Sequence, residues 1–536
     1  METYLRKHWT EGSVAVSCRV SASQRRADER KRLQLTTNGI ELRSVGSSGP
    51  VDPEVIPWSS VLGASESSVS VRRRFVTVYE GSEAEEDREF VVYVCGPKPA
   101  GSGRGGLVGG LASLATAVLP TSLTGANQQD DRVERVLQQW VFRCDDDNGA
   151  AVALKTVKAI RFLADPRVQA GKADKLLDAY GVIPPRQFMV VINPAGGTGN
   201  AQQTYEQQVA PVLEQANVEV ETIITRSVGH ATEIMKEVPL NKYACIVAVG
   251  GDGLLSEMLQ GLMTRNDWQQ ATLQPLGVVP GGSGNGLSAS LLSRAGERFE
   301  ALNAAYSLAK GQTQELDLFT ATNGDNKVMH GFLSLEWAFI ADMDIKSERY
   351  RFFGDLRFFI SSALQIFGFG RTDFPGQLRY LVSKDDEPRP EKYHDTHSCS
   401  DATASPVCAC FENDAGDTWE VIDGPFYMFW GMNVSHAAAD AHIAPPADID
   451  DGYFHLMLVS GADFSRMGLA KLMMGIEDGS HLAVDRVQLV RTRAFTVRAS
   501  GKDDLMCVDG ELFPGPEVKV EVHRSLGRVL CLPQKK

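Results

Sequence analysis

The chain has 536 residues, which is too many for one hydrophobic core, so we expect two to four domains. With 43% hydrophobic and 23% charged residues, it has the composition of a soluble globular protein, and we find no apolar stretch long enough to span a bilayer. The formal net charge of −14 disfavours nucleic acid as the main partner. Nine scattered cysteines, and an N-terminus without the apolar segment of a signal peptide, favour a cytoplasmic protein.

Residues 1–165 form a predicted β-rich module. Short apolar runs alternate with turn residues, and residues 150–164 carry a helical stripe of apolar side chains. This order of elements resembles a pleckstrin-homology fold, which implies a regulatory or membrane-directing role. The expected strands cover residues 13–20, 32–35, 40–45, 75–79, 90–94 and 140–144.

Two features of this module have two interpretations each. Residues 101–129 are rich in Gly, Ser, Ala and Leu and predict an inserted flexible loop. The apolar part of that loop, 107–123, is either a membrane contact or a mobile segment. The arginines at 25–26 and 72–74 either meet anionic headgroups or are solvated surface. A short helix is expected at 169–180, within a linker that covers residues 166–185.

Three glycine-rich turns follow apolar strands between residues 188 and 286. The strand 188–192 leads into Asn-Pro-Ala-Gly-Gly-Thr-Gly-Asn at 193–200. The strand 244–249 leads into Gly-Gly-Asp-Gly at 250–253, and the strand 276–279 leads into Pro-Gly-Gly-Ser-Gly-Asn-Gly at 280–286. Each turn is followed by a helical pattern, and a further strand is expected at 219–225. The pattern predicts an α/β domain over residues 186–317.

In an open parallel sheet these turns meet at the carboxyl edge, where backbone N–H groups can approach a phosphate. The alternative is three unrelated tight turns. Asp252 is the carboxylate within the central turn, and it can either hold a metal ion on phosphate or accept a proton from an attacking hydroxyl. The P-loop, the full dinucleotide fingerprint and the protein-kinase signatures are absent from the sequence, which argues against those enzyme classes.

These three loops resemble the catalytic domain of the diacylglycerol-kinase and sphingosine-kinase superfamily. The resemblance covers about the last two thirds of the chain. It implies an ATP- and Mg²⁺-dependent lipid kinase with Asp252 at its catalytic centre. It also implies a set of ATP-binding residues: Asn193, Gly196, Gly197, Gly199, Thr225, Gly250, Gly251, Gly253, Glu257, Gly282, Ser283, Gly284, Asn285, Arg351, Arg357, Asp509 and Glu511.

The stretch 333–350 is the second segment on which the interpretation as a lipid kinase depends. We expect it to be extended, so that Asp342 and Asp344 point the same way. The stretch resembles the sphingosine-kinase branch of the superfamily, which implies that Ser334, Phe339, Asp342 and Asp344 bind the lipid substrate. Two positions, Glu336 and Ala338, depart from the commonest pattern of that branch, which bears on the shape of the lipid pocket.

Two later segments remain open to alternatives. Residues 358–369 are the most apolar stretch and form either a core helix or a lid over an acyl chain. Residues 383–418 are polar and predict a mobile loop. The histidines and cysteines of this loop are either zinc ligands or, as we favour, ordinary loop residues: His394, His397, Cys399, Cys408 and Cys410.

Residues 318–536 are predicted to form a β-sandwich domain that carries the lipid site. The expected strands cover 426–432, 454–459, 487–489, 495–497 and 518–522. Near the end, Val-Asp-Gly-Glu at 508–511 is either a hairpin turn or, as the resemblance implies, part of the nucleotide site.

The sequence therefore predicts a kinase that phosphorylates the primary hydroxyl of a sphingoid base, with peripheral contact to a membrane surface. A ceramide or diacylglycerol kinase is the enzymatic alternative, and a silent lipid-sensing scaffold is the alternative from another class. The oligomeric state is left open.

Overall fold

The computed structural model describes most of the chain. The described residues are 14–20, 29–45, 52–66, 88–98, 131–145, 148–170, 183–196, 199–281, 284–347, 373–384, 387–397, 405–412, 418–460, 464–501 and 504–535. They fall into two compact units. Unit 1 comprises residues 1–175, 293–298 and 534–536, and unit 2 comprises residues 176–292 and 299–533.

The described part of unit 1 contains a seven-stranded antiparallel sheet in the order β4-β3-β2-β1-β7-β6-β5. A 16-residue helix, α1 (Gly149–Ala164), buries Val157, Ile160 and Leu163 at helical spacing. The strands are β1 (Val14–Val20), β2 (Glu29–Leu35), β3 (Gly39–Ser44), β4 (Glu54–Pro57), β5 (Val61–Glu66), β6 (Glu89–Pro97) and β7 (Arg135–Cys144).

The β-rich character of this module is confirmed, whereas its likeness to a pleckstrin-homology fold stays a prediction. The sequence did not predict β4 and β5, because β4 is short and bears a proline and β5 contains glycine and small polar residues. The expected strand at 75–79, the insertion at 101–129, both arginine groups and most of the helix at 169–180 lie outside the described residues.

Unit 2 contains a ten-stranded sheet in its described part. Four neighbouring strands, in the order β9-β8-β10-β11, run parallel and carry the three glycine-rich turns. They are β8 (Arg186–Ile192), β9 (Val218–Ile224), β10 (Cys245–Gly250) and β11 (Leu276–Pro280). The helices around them are α2 (Ala201–Thr204), a π-helical turn Tyr205–Val209, α3 (Ala210–Gln215), α4 (His230–Glu237), α5 (Asp252–Met263), α6 (Trp268–Ala271), α7 (Gly286–Arg294) and α8 (Ala301–Lys310).

The same sheet continues into the C-terminal part of the chain, because its last strand pairs in parallel with β11 through Leu276 and Val529. The predicted domain boundary at 317/318 falls inside a 12-residue strand of this sheet. The remaining strands of the sheet are β12 (Gln312–Asn323), β13 (Val328–Gly331), β15 (Gly376–Leu381), β16 (Trp419–Asp423), β20 (Ala494–Ala499) and β23 (Glu517–Cys531).

In the part of the chain that the structure describes, a second sheet of six strands packs its aromatic side chains against those of the first. Phe319 meets Phe454 edge to face, with ring centroids 4.9 Å apart, and Phe429 lies 5.9 Å from Phe495. This packing of two sheets confirms the predicted sandwich. The strands are β14 (Ser334–Ala338), β17 (Phe426–Met432), β18 (Phe454–Ser460), β19 (Val487–Thr492), β21 (Met506–Val508) and β22 (Glu511–Leu512).

One expectation about the substrate segment is wrong. Residues Phe339–Ser347 form a helix, α9, and not an extended segment. The backbone at Asp342 and Asp344 is therefore helical, and the extended arrangement expected for these two residues is not found. The prediction of an extended segment failed because every residue of Leu335–Ala341 is buried. The apolar pattern of a run that is buried on every side has neither the period of a strand nor that of a helix.

The sequence predicts a mobile loop at 383–418, but the described part of this segment contains regular structure. It contains two short helices, Tyr393–Thr396 and Ala409–Glu412. The Tyr393 ring is buried between Trp268 and His523, at centroid distances of 6.1 and 5.4 Å. Among the described residues, no helix is long and apolar enough to cross a membrane.

Candidate active site

The three glycine-rich turns meet at the carboxyl edge of the parallel strands. The Asn193 N–H donates to the Val249 carbonyl at 3.1 Å, and the Gly281 N–H donates to the Gly250 carbonyl at 3.1 Å. The Asp252 N–H donates to the Gly284 carbonyl at 3.0 Å. We call the turns 193–200, 250–253 and 280–286 the phosphate edge. Their convergence follows from the parallel register of β8, β10 and β11.

Asp252 is the buried carboxylate of the phosphate edge. It is the first residue of α5, and it accepts hydrogen bonds from the N–H groups of Gly286 at 2.5 Å and Leu287 at 3.4 Å, which begin α7. Burial raises the pKa of Asp252 to about 6, while these two N–H bonds lower it. The carboxyl group can therefore change its protonation state close to neutral pH, as a general base must.

The residues around Asp252 form the rest of the phosphate edge. Asn193 uses its side-chain oxygen to accept the Ala195 N–H at 3.0 Å, which fixes the first turn. Gly199 has a φ of +77°, a conformation that side chains rarely adopt. Thr225 is buried at the end of β9, where its hydroxyl donates to the Ile192 carbonyl at 3.3 Å. Asn285 is also buried, whereas Gly197, Gly282 and Ser283 lie outside the described residues.

The hairpin at 508–511 contributes a second buried carboxylate. Asp509 and Gly510 form its two-residue turn with φ of 52° and 78°. The Asp509 carboxylate accepts three backbone N–H bonds, from Phe332 at 3.1 Å, Leu333 at 2.9 Å and Ser334 at 3.0 Å. The segment 508–511 therefore forms a hairpin turn, and this is compatible with the second interpretation, in which its carboxylates belong to the nucleotide site.

Asp509 and Asp252 influence each other electrostatically. Burial raises the pKa of Asp509 to about 7, the three N–H bonds lower it, and the nearby charge of Asp252 raises it. The neighbouring Glu511 is exposed, and its Oε1 lies 3.5 Å from the point where a side chain on Gly253 would begin. Glu257 lies on the second turn of α5, and its carbonyl accepts the Thr232 hydroxyl at 2.9 Å.

The candidate lipid residues lie on β14 and α9, which we call the head-group strand and helix. Ser334 is fully buried, and its hydroxyl donates to Glu336 Oε1 at 3.2 Å. Asp342 is 7% exposed in the first turn of α9, and Phe339 is buried in the hydrophobic core. Asp344 follows on the same helix. The two arginines of the predicted ATP site, Arg351 and Arg357, and the apolar stretch 358–369 lie outside the described residues.

Two buried polar residues that the sequence did not single out, Asn433 and Asp317, join segments of unit 2 that are distant in the sequence. The Asn433 amide donates to the carbonyls of Asp317 and Phe332, both at 2.9 Å. The Asp317 carboxylate accepts the N–H groups of Ser525 at 2.7 Å and Gly452 at 2.6 Å, and burial raises its pKa well above the usual range. In the sequence, the feature that could have indicated Asn433 is its position as a polar residue directly after the apolar strand Phe426–Met432.

The described residues contain no group of three or more metal-ligating side chains. Magnesium, however, commonly binds through one or two carboxylates together with the phosphates of its nucleotide, and does not need a cage made by protein alone. The donor set of the phosphate edge, with Asp252 next to glycine N–H groups, fits that mode of binding.

Comparison with known proteins agrees with this geometry. The family model "Diacylglycerol kinase catalytic domain" matches residues 187–321, which include the phosphate edge. The model "YegS C-terminal NAD kinase beta sandwich-like domain" matches residues 422–531.

Curated relatives give the family. Sphingosine kinase 1 of Arabidopsis thaliana is 32% identical over 352 residues, which cover 64% of this chain and 70% of the relative. Sphingosine kinase 1 of Homo sapiens is 32% identical over 356 residues, which cover 64% of this chain and 90% of the relative. The chain belongs to the sphingosine kinase family.

Other members agree with the assignment. Sphingosine kinase 1 of Mus musculus is 30% identical over 361 residues, which cover 66% of this chain and 93% of the relative. In this sphingosine kinase family member, the phosphate edge and the head-group strand lie within one compact unit. Asp509 connects them, because it holds the turn before Ser334 and lies close to Asp252.

Proposed function

We propose that the chain transfers the γ-phosphoryl group of ATP to the primary hydroxyl of a sphingoid base. The observation that carries this proposal is the convergence of three glycine-rich turns on Asp252, with β14 held nearby through Asp509. A site with many N–H donors and one carboxylate suits phosphoryl transfer, since that reaction depends on positioning and on charge neutralisation. The names of the curated relatives support the lipid as the acceptor.

The nucleotide phosphates would lie against the N–H groups of the phosphate edge. Gly196, Gly250 and Gly251 have no side chain that would keep phosphate oxygens away from the backbone. Thr225, Asn285 and Glu511 would line the nucleotide at its sides. Arg351 and Arg357 would offset the phosphate charge, because a guanidinium donates two parallel hydrogen bonds to phosphate oxygens.

Asp252 would act on the attacking hydroxyl. Above a pH of about 6 its carboxylate is ionised and can accept the proton that the lipid hydroxyl loses. Gly286 and Leu287 hold both carboxylate oxygens, so the group needs little reorganisation at the moment of reaction. The same carboxylate could instead organise Mg²⁺, and the two roles remain alternatives.

Magnesium would enter with ATP. When bound, it would supply positive charge that offsets the charge of the nucleotide phosphates. Asp252 is the described carboxylate best placed to hold it, with Glu511 at the rim of the same turn.

The polar head of the lipid would lie along the head-group strand and helix. Ser334, Asp342 and Asp344 would bind the amino-alcohol, and Phe339 would contact the start of the hydrocarbon chain. A carboxylate suits a protonated amine, because a charge-assisted hydrogen bond is about twice as strong as a neutral one. Because such a lipid resides in a bilayer, we also propose peripheral contact with a membrane surface by a cytoplasmic protein.

An assay with ATP and a panel of lipids tests the proposal. The full chain should phosphorylate sphingoid bases in detergent micelles and leave ceramides and diacylglycerols nearly untouched. The match to a diacylglycerol kinase catalytic domain makes a neutral lipid the second candidate acceptor. Phosphorylation of ceramide or diacylglycerol alone would replace the sphingoid base with that lipid, and no turnover on any lipid would favour a silent scaffold.

A further inference from the structure

The sheet of unit 1 has a buried side and an exposed side at β2 and β3. Leu33 and Leu35 of β2 project into the buried side, where they are 0% and 4% exposed. Side chains alternate along a strand, so the residues at even positions of β2 project from the other side. Two of these are Arg30 and Arg32, and both are exposed. The strand β2 therefore presents two arginines, two positions apart, on its exposed side.

The neighbouring strand β3 adds a third arginine to this side. Arg43 lies directly opposite Arg32 in the antiparallel register, and its side chain is 61% exposed. Like charges at directly opposite positions of a sheet destabilise it. In the part of the chain that the structure describes, neither Arg30 nor Arg32 forms an ion pair. Arg43 meets Glu41, but only at 3.5 Å. The protein itself therefore balances the positive charge of this surface poorly.

Lys31 is the third cation of β2, and it contrasts with the two arginines. It lies between them in the sequence, so it projects to the opposite side of the sheet. There its side chain is 13% exposed and pairs with Glu54 at 2.7 Å. The fold thus pairs the cation of the inner side and leaves the arginines of the outer side to solvent or to a partner.

Two exposed apolar side chains flank the arginines. Val45 follows Arg43 by two residues, and its N–H donates to the Arg30 carbonyl at 3.2 Å, so it continues the register of β2 and β3. Val55 on β4 lies opposite Glu41, on the same side of the sheet. Val45 is 55% exposed and Val55 is 44% exposed. We give the name basic face to this set of residues: Arg30, Arg32, Arg43, Val45 and Val55.

A bilayer surface with anionic headgroups fits the chemistry of the basic face. Guanidinium groups donate paired hydrogen bonds to phosphate and carboxylate groups. Exposed aliphatic side chains can enter the boundary between headgroups and acyl chains. The whole chain has a formal net charge of −14, so an anionic membrane repels it unless a cationic surface faces the lipid. Charge complementarity therefore selects the basic face as the side of unit 1 that meets the membrane.

We propose that the basic face binds membranes that contain anionic phospholipids and thereby brings the enzyme to a substrate that resides in the bilayer. The second half of this inference rests on the proposed function, because it needs a lipid as the acceptor. The inference goes beyond the peripheral contact proposed above, since it assigns that contact to particular side chains and to the charge of the headgroups. Each arginine close to an anionic surface contributes about fivefold in affinity. Because the attraction is electrostatic, it weakens as the ionic strength rises.

Sedimentation of the full chain with vesicles, without ATP, tests the proposal. One kind of vesicle contains phosphatidylcholine alone, and the other contains phosphatidylcholine with phosphatidylserine. The wild type should bind the second kind more tightly, and added salt should weaken this binding. Arg30→Gln/Arg32→Gln should bind it about 25-fold more weakly. Arg30→Lys/Arg32→Lys, which keeps both charges, should bind nearly as the wild type does. Val45→Ser should lose about threefold in affinity.

The controls remove the same charge and the same apolar group at other places. Lys158→Gln/Lys236→Gln also removes two positive charges, but from exposed positions on α1 and α4. Val421→Ser matches Val45→Ser, because Val421 is 51% exposed on β16. Both controls should bind the phosphatidylserine vesicles as the wild type does.

The two supports for phosphorylation separate the membrane contact from the chemistry. In detergent micelles, Arg30→Gln/Arg32→Gln should phosphorylate sphingosine at the wild-type rate, which also shows that the variant is folded. With sphingosine in phosphatidylserine vesicles its rate should fall. If the wild type binds these vesicles through the two arginines but phosphorylates no lipid, the proposed function has failed and the membrane contact stands.

Three results would overturn the membrane contact. The first is equal binding of the wild type to both kinds of vesicle. The second is an equal loss in Arg30→Gln/Arg32→Gln and in Lys158→Gln/Lys236→Gln, since net charge and not the basic face would then determine binding. The third is a wild-type dimer in solution that Arg30→Gln/Arg32→Gln dissociates without a change in vesicle binding, because the basic face would then hold a second copy of the chain.

Discussion

The phosphate edge and the head-group strand are built in different ways. Every turn of the phosphate edge joins a strand to the helix that follows it, and Asp252 binds the start of the helix after the next strand. The head-group strand β14 instead lies between β17 and β21, which come about 90 and 170 residues later in the chain. The residues proposed to bind phosphate thus lie on local turns, whereas those proposed to bind the lipid depend on long-range pairing.

Asp509 is the point where these two regions meet. Its carboxylate holds the backbone of residues 332–334, and its pKa responds to the charge of Asp252. Substitutions in one region can therefore be separated from those in the other by asking which kinetic constant they change.

The largest expected effect belongs to the phosphate edge. Asp252→Asn should leave the protein folded, since an amide oxygen can still accept the Gly286 N–H and a buried charge is removed. Turnover of sphingosine should fall by about 10²–10⁴, the usual effect of removing a positioned base. Initial rates with saturating ATP and lipid measure this.

Asp267→Asn is the matched control for that variant. Asp267 is an exposed carboxylate of the same α/β domain, paired with Arg265 at 2.7 Å. It should keep wild-type turnover. Wild-type turnover by Asp252→Asn would remove the catalytic role from the phosphate edge altogether.

The second-largest effect is expected from a substitution in the head-group helix. Asp344→Ala should raise the KM for sphingosine by about ten- to a hundredfold, because a carboxylate–ammonium hydrogen bond is worth roughly 1.5–3 kcal/mol. The KM for ATP should stay nearly constant, which distinguishes this region from the phosphate edge. Kinetics with each substrate varied in turn give both constants.

The alternative for Asp344 is an ion pair with Lys346 or Arg349, which on a surface is worth little. In that case the KM for sphingosine would not change. Asp325→Ala provides the comparison, since Asp325 is an exposed acid in the turn between β12 and β13.

The pH dependence of the activity also distinguishes the phosphate edge from the head-group region. Burial raises the pKa of Asp252 to about 6, so the ionised fraction of this carboxylate decreases as the pH falls through that value. We expect kcat/KM for the lipid to fall about tenfold for each pH unit below that point, while the ammonium group of the base keeps its charge. A profile from pH 5 to 8 with constant ionic strength measures this. The coupling to Asp509, with a pKa of about 7, can spread the decline over two steps. A flat profile over this range would mean that no buried carboxylate titrates in the rate-limiting step.

The contrast between the regions also explains what the sequence could predict. The parallel strands, their glycine turns and the place of Asp252 follow from local patterns, because a strand, a glycine turn and a helix are adjacent in the chain. Five later strands, β17, β18, β19, β20 and β23, were also recognisable from their apolar runs.

The sequence was less informative about contacts between residues that are far apart along the chain. The three N–H bonds to Asp509 join residues more than 170 positions apart, and no pattern announces them. The helix α9 was missed because its residues continue the apolar run of β14. The change from strand to helix occurs at Ala338, whose φ of +61° cannot be read from its identity, since this conformation favours glycine.

Ala338 gives the smallest expected effect. A left-handed conformation costs a residue with a side chain roughly 1–2 kcal/mol. In Ala338→Gly this strain disappears, but the unfolded chain gains entropy and a buried methyl group is lost, so the free energy of unfolding should change by less than about 1 kcal/mol. Ala338→Val should instead be destabilised by more than about 2 kcal/mol, because a β-branched residue fits this conformation poorly. Urea unfolding of the two variants measures the difference. If valine were tolerated as well as glycine, the chain would not need the left-handed turn at residue 338, and the geometry that joins the head-group strand to its helix would have to be revised.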